Sequence, residues 1–269
     1  MNHYNEPPPI ALTIAGSDPS GGAGIQCDLK VFQALGVYGL SVVSCITSQV
    51  PGVMKTIHPL QREQIISQIS LLKSNYPISA IKLGLLHNRD IIKSVIDTLD
   101  SFDVCPPVII DPIIKSSSGM LILEKEALEL YKKNLIPRAE LYTPNIPEGN
   151  SLINKKFSCE FDLANALYSE FGTPLLLKGG HLDKKIATDI FINKEGLTKF
   201  ESPMIKNCES HGTGCFYSAA ICAHVAIGLD MKKAISKAKT YINRALINSK
   251  NLGGISNTLN FKSLEESKN

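Results

Sequence analysis

The alternation of strand and helix is clearest at residues 10–35, which read IALTIAGSDPSGGAGIQCDLKVFQAL. Residues 10–15 are a short apolar run, typical of a buried strand. Residues 17–24 are rich in Gly, Ser, Asp and Pro, which favour turns. Residues 25–35 then have apolar side chains at helical spacing and stop before Gly36. The stretch therefore predicts a strand, a glycine-rich turn and a helix, which together begin a βαβ unit.

The same alternation continues toward the C-terminus. Strands are predicted at 38–47, 80–83, 108–110, 140–142 and 174–177, and helices at 61–73, 89–99, 125–135 and 162–171. A late hairpin at 187–193 and 196–202 precedes two helices at 214–227 and 231–248. Alternating strands and helices form right-handed units with parallel strands. We therefore expect an α/β fold, a three-layer αβα sandwich with a mostly parallel central sheet. Residues 1–9 are expected to be a loose arm, and 10–269 a single domain.

Composition excludes several classes of protein. The chain has 269 residues, 43% hydrophobic and 20% charged, which does not fit a disordered, collagen-like or coiled-coil protein. The 28 Lys and Arg residues nearly balance 25 Asp and Glu residues, so a nucleic-acid-binding surface is not expected. The polar start and the lack of an 18-residue apolar run predict a cytoplasmic protein without a membrane partner. Seven cysteines without a CxxC pair predict free, buried thiols rather than disulfides or a zinc site.

The ends of the predicted strands indicate where a ligand would bind. In open parallel sheets, ligands bind beyond the carboxyl ends of the strands. The segments that follow the predicted strands are polar or glycine-rich, and they are 16–18, 48–49, 84–85, 111–112, 145–148 and 178–180. We therefore expect a binding site along this edge of the sheet.

A second glycine-rich turn begins the helix predicted at 214–227. Gly212, Thr213 and Gly214 precede Cys215 and a long apolar segment. The first N–H groups of a helix lack partners within the helix, and with the helix dipole they can form an anion hole. Phosphoryl transfer needs such a device, because negative charge spreads over the oxygens of its transition state. A helix N-terminus also lowers the pKa of a thiol, so Cys215 could accept a proton from a substrate hydroxyl. The alternative is a cysteine that only packs.

Other strand ends supply charged groups of defined chemistry. The carboxylate of Asp111 could hold Mg²⁺. Asn145 and Glu148, three residues apart, could share this role or could cap a local turn. Lys178 is a cation beside two glycines, which suits a phosphate. Asp28 lies about one turn into the first predicted helix, and its spacing alone favours a surface carboxylate.

The chain resembles the hydroxymethylpyrimidine/phosphomethylpyrimidine kinases of thiamine biosynthesis, which belong to the ribokinase-like superfamily. The resemblance rests on residues 11–28 (ALTIAGSDPSGGAGIQCD), 32–39 (FQALGVYG), 178–181 (KGGH) and 211–215 (HGTGC). It implies a kinase that uses ATP and Mg²⁺. Such a kinase phosphorylates 4-amino-5-hydroxymethyl-2-methylpyrimidine and then converts the monophosphate to the diphosphate. Relatives of this kind are often dimers, so the resemblance also implies a homodimer.

The resemblance implies roles for individual residues as well. The residues that would hold the pyrimidine are Gly16, Asp28, Gln49 and Leu85, with Leu85 packing on the ring. The catalytic group comprises Cys215 as base and, as the anion hole, Gly212, Thr213 and Gly214. The nucleotide and phosphate side comprises Asn145, Glu148 and Lys178, and the metal ligands would be Asp111 and Glu148.

The chain departs from the family pattern in two places. Residues 50–51 stand where the family commonly has a longer and more polar segment between Gln49 and Gly-Val, and this loop is expected to act as a lid. Residues 113–119 are rich in serine where a lysine is often seen. The altered loop leaves a pyridoxal/pyridoxine kinase as an alternative function. A non-catalytic pyrimidine-binding protein is a third hypothesis, although the set of Asp28, Asp111, Gly214 and Cys215 argues against it.

Overall fold

The computed structural model describes residues 7–115, 121–179, 185–205, 211–252 and 256–262. The strands are β1 (Ile10–Ser17), β2 (Tyr38–Val50), β3 (Val53–Pro59), β4 (Ile78–Leu83), β5 (Val108–Ile110), β6 (Leu141–Tyr142), β7 (Leu175–Leu177), β8 (Ile186–Asn193) and β9 (Gly196–Pro203). The α-helices are α1 (Gly24–Ala34), α2 (Arg62–Asn75), α3 (Arg89–Leu99), α4 (Lys125–Leu130), α5 (Ile146–Ile153), α6 (Glu160–Phe171), α7 (Thr213–Ala226) and α8 (Met231–Ile247).

All nine strands form one sheet in the order β3-β2-β1-β4-β5-β6-β7-β8-β9. The six strands from β2 to β7 in this order are parallel to one another, whereas β3, β8 and β9 pair antiparallel at the two edges. The predicted late hairpin is confirmed as β8 and β9. Because the parallel strands end at the same edge, the residues that follow them are brought together.

Two separate apolar cores cover the two faces of the sheet. One core contains residues from α2 to α6, such as Ile69 and Leu167, packed against Ile14 and Tyr142 of the sheet. The other contains α1, α7 and α8, and Phe216 is one of its large buried side chains. Almost every side chain of α7 is buried, because this helix lies between the sheet and its neighbours α1 and α8. The predicted three-layer αβα architecture with a mostly parallel sheet is confirmed.

The structure differs from the predicted elements at the end of β2. This strand continues to Val50, turns at Pro51 and Gly52, and returns as β3, which was not predicted. Gly52 has a φ of +80°, which suits a tight turn. The predicted lid loop at 49–53 is therefore the tip of a β-hairpin. Most side chains of β3 are exposed, so its sequence lacks the apolar signal of a buried strand.

Several further predictions are corrected by the structure or fall on residues that it does not describe. The short helix α5 was not predicted, and the helix predicted at 125–135 is α4 followed by one turn of π-helix at 131–135. Cys105 is exposed in the loop before β5, and Cys159, just before α6, is partly exposed, so neither is a fully buried thiol. Residues 1–6 of the predicted arm lie outside the described residues, as do Cys208 and most of 113–119. Among the described helices, none is long and apolar enough to cross a membrane.

Candidate active site

A cavity of about 490 Å³ opens where the parallel strands end and α7 begins. All but one of the predicted site residues line it, namely Gly16, Gln49, Leu85, Asp111, Asn145, Glu148, Lys178, Gly212, Thr213, Gly214 and Cys215. The exception is Asp28. The parallel topology explains this convergence, because each residue that follows a strand is delivered to the same edge.

The turn before α7 is built from backbone packed closely against other groups. Gly212 has a φ of +84°, and a Cβ at this position would lie 1.8 Å from the carbonyl oxygen of Gly22. A Cβ on Gly214 would lie 3.2 Å from Lys178 Nζ and 3.5 Å from Asp111 Oδ2. The positive end of the α7 dipole therefore faces the same space as the Lys178 ammonium, which is the arrangement expected for an anion.

Cys215 lies in the first turn of α7 and is only 7% exposed. Its Sγ accepts a hydrogen bond from the backbone N–H of Gly24. Burial raises the pKa of the Cys215 thiol to about 12; the Lys82 cation opposes this shift, and the Asp111 and Asp28 carboxylates add to it. The expectation of a lowered pKa is therefore wrong, because desolvation outweighs the helix N-terminus. At neutral pH the group is a thiol.

Asp111 and Lys178 form an ion pair beside Gly214 of this turn. Lys178 Nζ lies 2.8 Å from Asp111 Oδ1, and both side chains are largely buried. Burial raises the pKa of Asp111, but the nearby cations Lys178 and Lys82 outweigh it, so the pKa lies below its usual range. The site therefore holds an ionised carboxylate beside a cation.

Asn145 and Glu148 cap the N-terminus of α5. Asn145 Oδ1 accepts the N–H of Glu148 at 2.8 Å, and Glu148 Oε2 accepts the N–H of Asn145 at 2.8 Å. This is a capping box, so the capping alternative is confirmed. Burial raises the pKa of Glu148 to about 7, helped by the negative charge of Asp111 and opposed by Lys178. Both capping side chains also face the cavity.

The described residues include no group of three His, Cys, Asp or Glu side chains that could hold a metal ion. The two carboxylates of the cavity, Asp111 and Glu148, are nevertheless hard oxygen ligands of the kind that suits Mg²⁺. Mg²⁺ is commonly bound by one or two carboxylates together with substrate phosphates and waters. The donor set therefore fits Mg²⁺ delivered with a nucleotide better than a metal held by the protein alone.

The other end of the cavity is largely apolar. Leu85 packs there with Cys45 and Ile122, and Met54 and Ile113 lie against this group. Gly16 forms part of the floor, since a Cβ there would lie 2.8 Å from Cys45 Sγ and 3.5 Å from Leu85 Cδ1. Gln49, near the end of β2, adds a side-chain amide to the wall. A flat ring with polar substituents would suit this slot.

Asp28 lies beneath the cavity instead of on its wall. Its side chain is 0% exposed, and its oxygens lie 3.0 and 2.8 Å from Lys82 Nζ and 2.6 Å from Thr13 Oγ1. Asp28 is thus neither a surface carboxylate nor a cavity-lining residue. Sequence reasoning missed Lys82, although a lysine within the apolar run of β4 is an unusual signal for a buried strand.

Comparison with known proteins assigns the family. The family model described as phosphomethylpyrimidine kinase matches residues 18–260. The chain belongs to the phosphomethylpyrimidine kinase family. A hydroxymethylpyrimidine/phosphomethylpyrimidine kinase of Aquifex aeolicus is 35% identical over 247 residues, which cover 91% of this chain and 96% of the relative. Membership of this family makes the protein an ATP-dependent phosphotransferase.

Solved structures of two kinases are similar to this chain. The phosphomethylpyrimidine kinase of Clostridium difficile superimposes with a TM-score of 0.77 at 35% identity, over 88% of this chain and 99% of that one. The ADP complex of Bacillus subtilis pyridoxal kinase superimposes with a TM-score of 0.85 at 30% identity, over 95% and 98% of the two chains. The predicted ribokinase-like fold is confirmed, and the pyridoxal kinase likeness defines the main functional alternative.

Proposed function

We propose that the protein transfers the γ-phosphoryl group of ATP to the hydroxymethyl oxygen of 4-amino-5-hydroxymethyl-2-methylpyrimidine, and then phosphorylates the resulting monophosphate. The proposal rests on one observation, namely that the groups needed for phosphoryl transfer line a single cavity. The Gly212–Gly214 turn and Cys215 lie in it together with an apolar slot and the Lys178–Asp111 pair. A ring alcohol and a polyphosphate could therefore meet at the start of α7.

The phosphate side of the proposed site uses fixed positive charge. Lys178 would neutralise phosphate oxygens, and Asn145 lies beside it through a backbone bridge between the two residues. Asp111 and Glu148 would hold Mg²⁺, which when bound offsets negative charge on the phosphates. The N–H groups of the turn, such as that of Gly214, would stabilise the charge that spreads over the transferred group.

Cys215 is the proposed base for the substrate hydroxyl. Because its pKa is raised by burial to about 12, the thiolate is scarce at neutral pH. The Lys82 cation lowers the pKa of this thiol and so favours the thiolate. In a loose transition state the hydroxyl proton leaves late, when its acidity has increased, so a small thiolate population can be sufficient. We therefore expect kcat to increase with pH through the neutral range.

The Cys215 assignment has a matched control on the same helix. Cys222 lies two turns further along α7 and is fully buried away from the cavity. Cys215→Ala should lower kcat about 100-fold or more with little change in KM, since a general base acts on the reacting proton. Cys222→Ala should leave kcat within a few-fold of the wild type. Equal kcat values for the two variants would contradict the assignment.

Pyridoxal is the second candidate substrate. The pyridoxal kinase structure from B. subtilis matches a larger share of this chain than the phosphomethylpyrimidine kinase structure does, although at lower identity. The relatives identified by sequence are named hydroxymethylpyrimidine/phosphomethylpyrimidine kinases, which favours the pyrimidine. Measuring kcat/KM for both alcohols with ATP and Mg²⁺ decides between them, and a higher value for pyridoxal would reverse the proposal.

We also propose a homodimer that works in the cytoplasm. Ile46, Val50 and Val53 are exposed apolar side chains of β2 and of the edge strand β3, and Val50 and Val53 also border the cavity. Exposed apolar side chains near one sheet edge favour association with a second chain. Size-exclusion chromatography with light scattering should give twice the chain mass of 29.3 kDa. A mass of a single chain at micromolar concentration would contradict the dimer.

A further inference from the structure

We infer that Asp18 and His211 form a clasp that positions the reacting groups, a role that rests on the proposed phosphoryl transfer. The clasp joins the glycine-rich turn after β1 to the glycine-rich turn before α7. His211 Nε2 and Asp18 Oδ2 are 3.1 Å apart, and both residues line the cavity. Asp18 is a positioning residue and is not a proton acceptor for the substrate.

Asp18 first fixes its own turn. Its Oδ1 accepts hydrogen bonds from the Ser20 N–H at 2.9 Å and the Ser20 hydroxyl at 2.8 Å, and its Oδ2 accepts the Ala23 N–H at 2.8 Å. The Asp18 N–H in turn donates to Gln26 Oε1 at 2.9 Å. The carboxylate therefore holds the turn together through three hydrogen bonds, and Asp18 is only 1% exposed. Hydrogen bonds to a buried carboxylate are among the stronger ones in proteins.

The two turns approach each other with no room for side chains between them. A Cβ on Gly22 would lie 2.9 Å from His211 Cδ2, and a Cβ on Gly212 would lie 1.8 Å from the Gly22 oxygen. Glycine at position 212 thus allows backbone to pack on backbone, and glycine at position 22 leaves room for the His211 ring. Asp18 and His211 supply a polar link across this contact.

Each side of the clasp leads directly to a group of the proposed reaction. Ala23, whose N–H is held by Asp18, precedes Gly24, whose N–H donates to Cys215 Sγ. His211 precedes Gly212 and the turn that would bind the transferred phosphoryl group. A displacement of about 1 Å in such groups can lower a rate about 100-fold. One carboxylate therefore holds both the hydrogen bond to the base and the anion-binding turn.

The charge state of Asp18 agrees with this role. Burial raises the pKa of Asp18, but the hydrogen bonds from His211, Ser20 and Ala23 outweigh that effect and hold the pKa well below its usual range. The carboxylate is therefore ionised across the neutral range. Asn has nearly the same shape as Asp but no charge, and it would offer one acceptor oxygen in place of two.

The test compares Asp18→Asn with a matched control, Asp100→Asn. Asp100 is likewise a hydrogen-bonded carboxylate, which accepts two hydrogen bonds from the Arg138 guanidinium, but it lies on the exposed surface away from the cavity. Asp18→Asn should lower kcat about 10- to 100-fold while KM for the alcohol changes less than about threefold. Asp100→Asn should retain the wild-type kcat. The kcat of each variant is divided by its folded fraction, measured by thermal unfolding, so that a loss of stability is not mistaken for a loss of activity.

A second pair of variants keeps the test decisive if Asp18→Asn does not fold. His211→Gln places an N–H donor near the position of Nε2, whereas His211→Asn cannot reach it. We expect His211→Asn to lower kcat about 10-fold or more and His211→Gln to restore most of it. Equal kcat for both His211 variants, or a normalised kcat of Asp18→Asn within twofold of the control, would overturn the clasp. Turnover by the wild type and by Asp100→Asn tests the proposed function separately, so the two failures are distinguishable.

Discussion

Replacing Gly212 by alanine should remove most of the kinase activity, because the anion-binding turn has no space for a methyl group. The new Cβ would lie 1.8 Å from the carbonyl oxygen of Gly22, whereas real Cβ contacts are essentially never shorter than 3.0 Å. The difference, 3.0 minus 1.8, requires a shift of at least about 1.2 Å between the two turns. The atom that obstructs the methyl group is backbone, so no side-chain rotation relieves the clash.

The expected size of the effect follows from this displacement. A misplacement of about 1 Å can lower a rate about 100-fold, so kcat of Gly212→Ala should fall by about that factor or more. The φ of +84° adds a conformational cost of about 1–2 kcal/mol for any L-residue other than glycine. That second cost affects stability as well as activity, and a control must separate the two.

Gly36→Ala is the matched control. Gly36 also has a positive φ, +74°, but a Cβ there would meet nothing within 4 Å. It follows α1 and does not line the cavity. Both variants should lose similar stability from φ, measured by thermal unfolding, but only Gly212→Ala should lose kcat in the kinase assay. If the kcat of Gly212→Ala is within threefold of that of Gly36→Ala, the packing of the two turns does not control the chemistry.

Three further predictions concern buried titratable groups. Lys82→Met should lower the free energy of unfolding, measured in urea, by about 3–5 kcal/mol, because it leaves the Asp28 carboxylate buried without its cation. Adding Asp28→Asn to this variant should recover most of the lost stability. Burial lowers the pKa of His224 from its ordinary value of 6.5 to about 4. As the pH falls from 6.5 to 4, the unfolded chain therefore binds a proton at His224 that the folded chain does not, and the free energy of unfolding decreases. His224→Leu should reduce this decrease, and an unchanged pH profile of the free energy of unfolding would contradict the assignment. Iodoacetamide at pH 8 should label the exposed Cys105 faster than the buried Cys215, as measured by peptide mass spectrometry. Faster labelling of Cys215 would show that the pKa of its thiol is not raised.

The sequence predicts much of the sheet, because buried parallel strands are short apolar runs between glycine-rich and polar turns. The predicted helix at 89–99 and strand at 108–110 coincide with α3 and β5. β3 escaped prediction because an exposed edge strand has little apolar periodicity. α5 escaped because it is eight residues long and contains proline and glycine, both poor helix formers.

The sequence predicts those residues of the candidate site whose position follows from the direction of the parallel strands. Residues that follow parallel strands, such as Asp111 and Lys178, must reach the same edge of the sheet. The environment of Asp28 depends on Lys82, which is 54 residues away in the chain, and no local pattern encodes that pairing. The raised pKa of Cys215 likewise results from burial by other elements, which a helix-start motif does not reveal.

The most direct measurement is ³¹P NMR of the purified protein with ATP, Mg²⁺ and 4-amino-5-hydroxymethyl-2-methylpyrimidine. We predict a monophosphate ester signal that appears first and is then replaced by the two signals of a diphosphate, as ADP accumulates. Neither step should proceed at an appreciable rate with Cys215→Ala, and both should proceed with Cys222→Ala. If ATP is not consumed with the pyrimidine but is consumed with pyridoxal, the substrate assignment is wrong; if neither alcohol is phosphorylated, the proposed function is wrong.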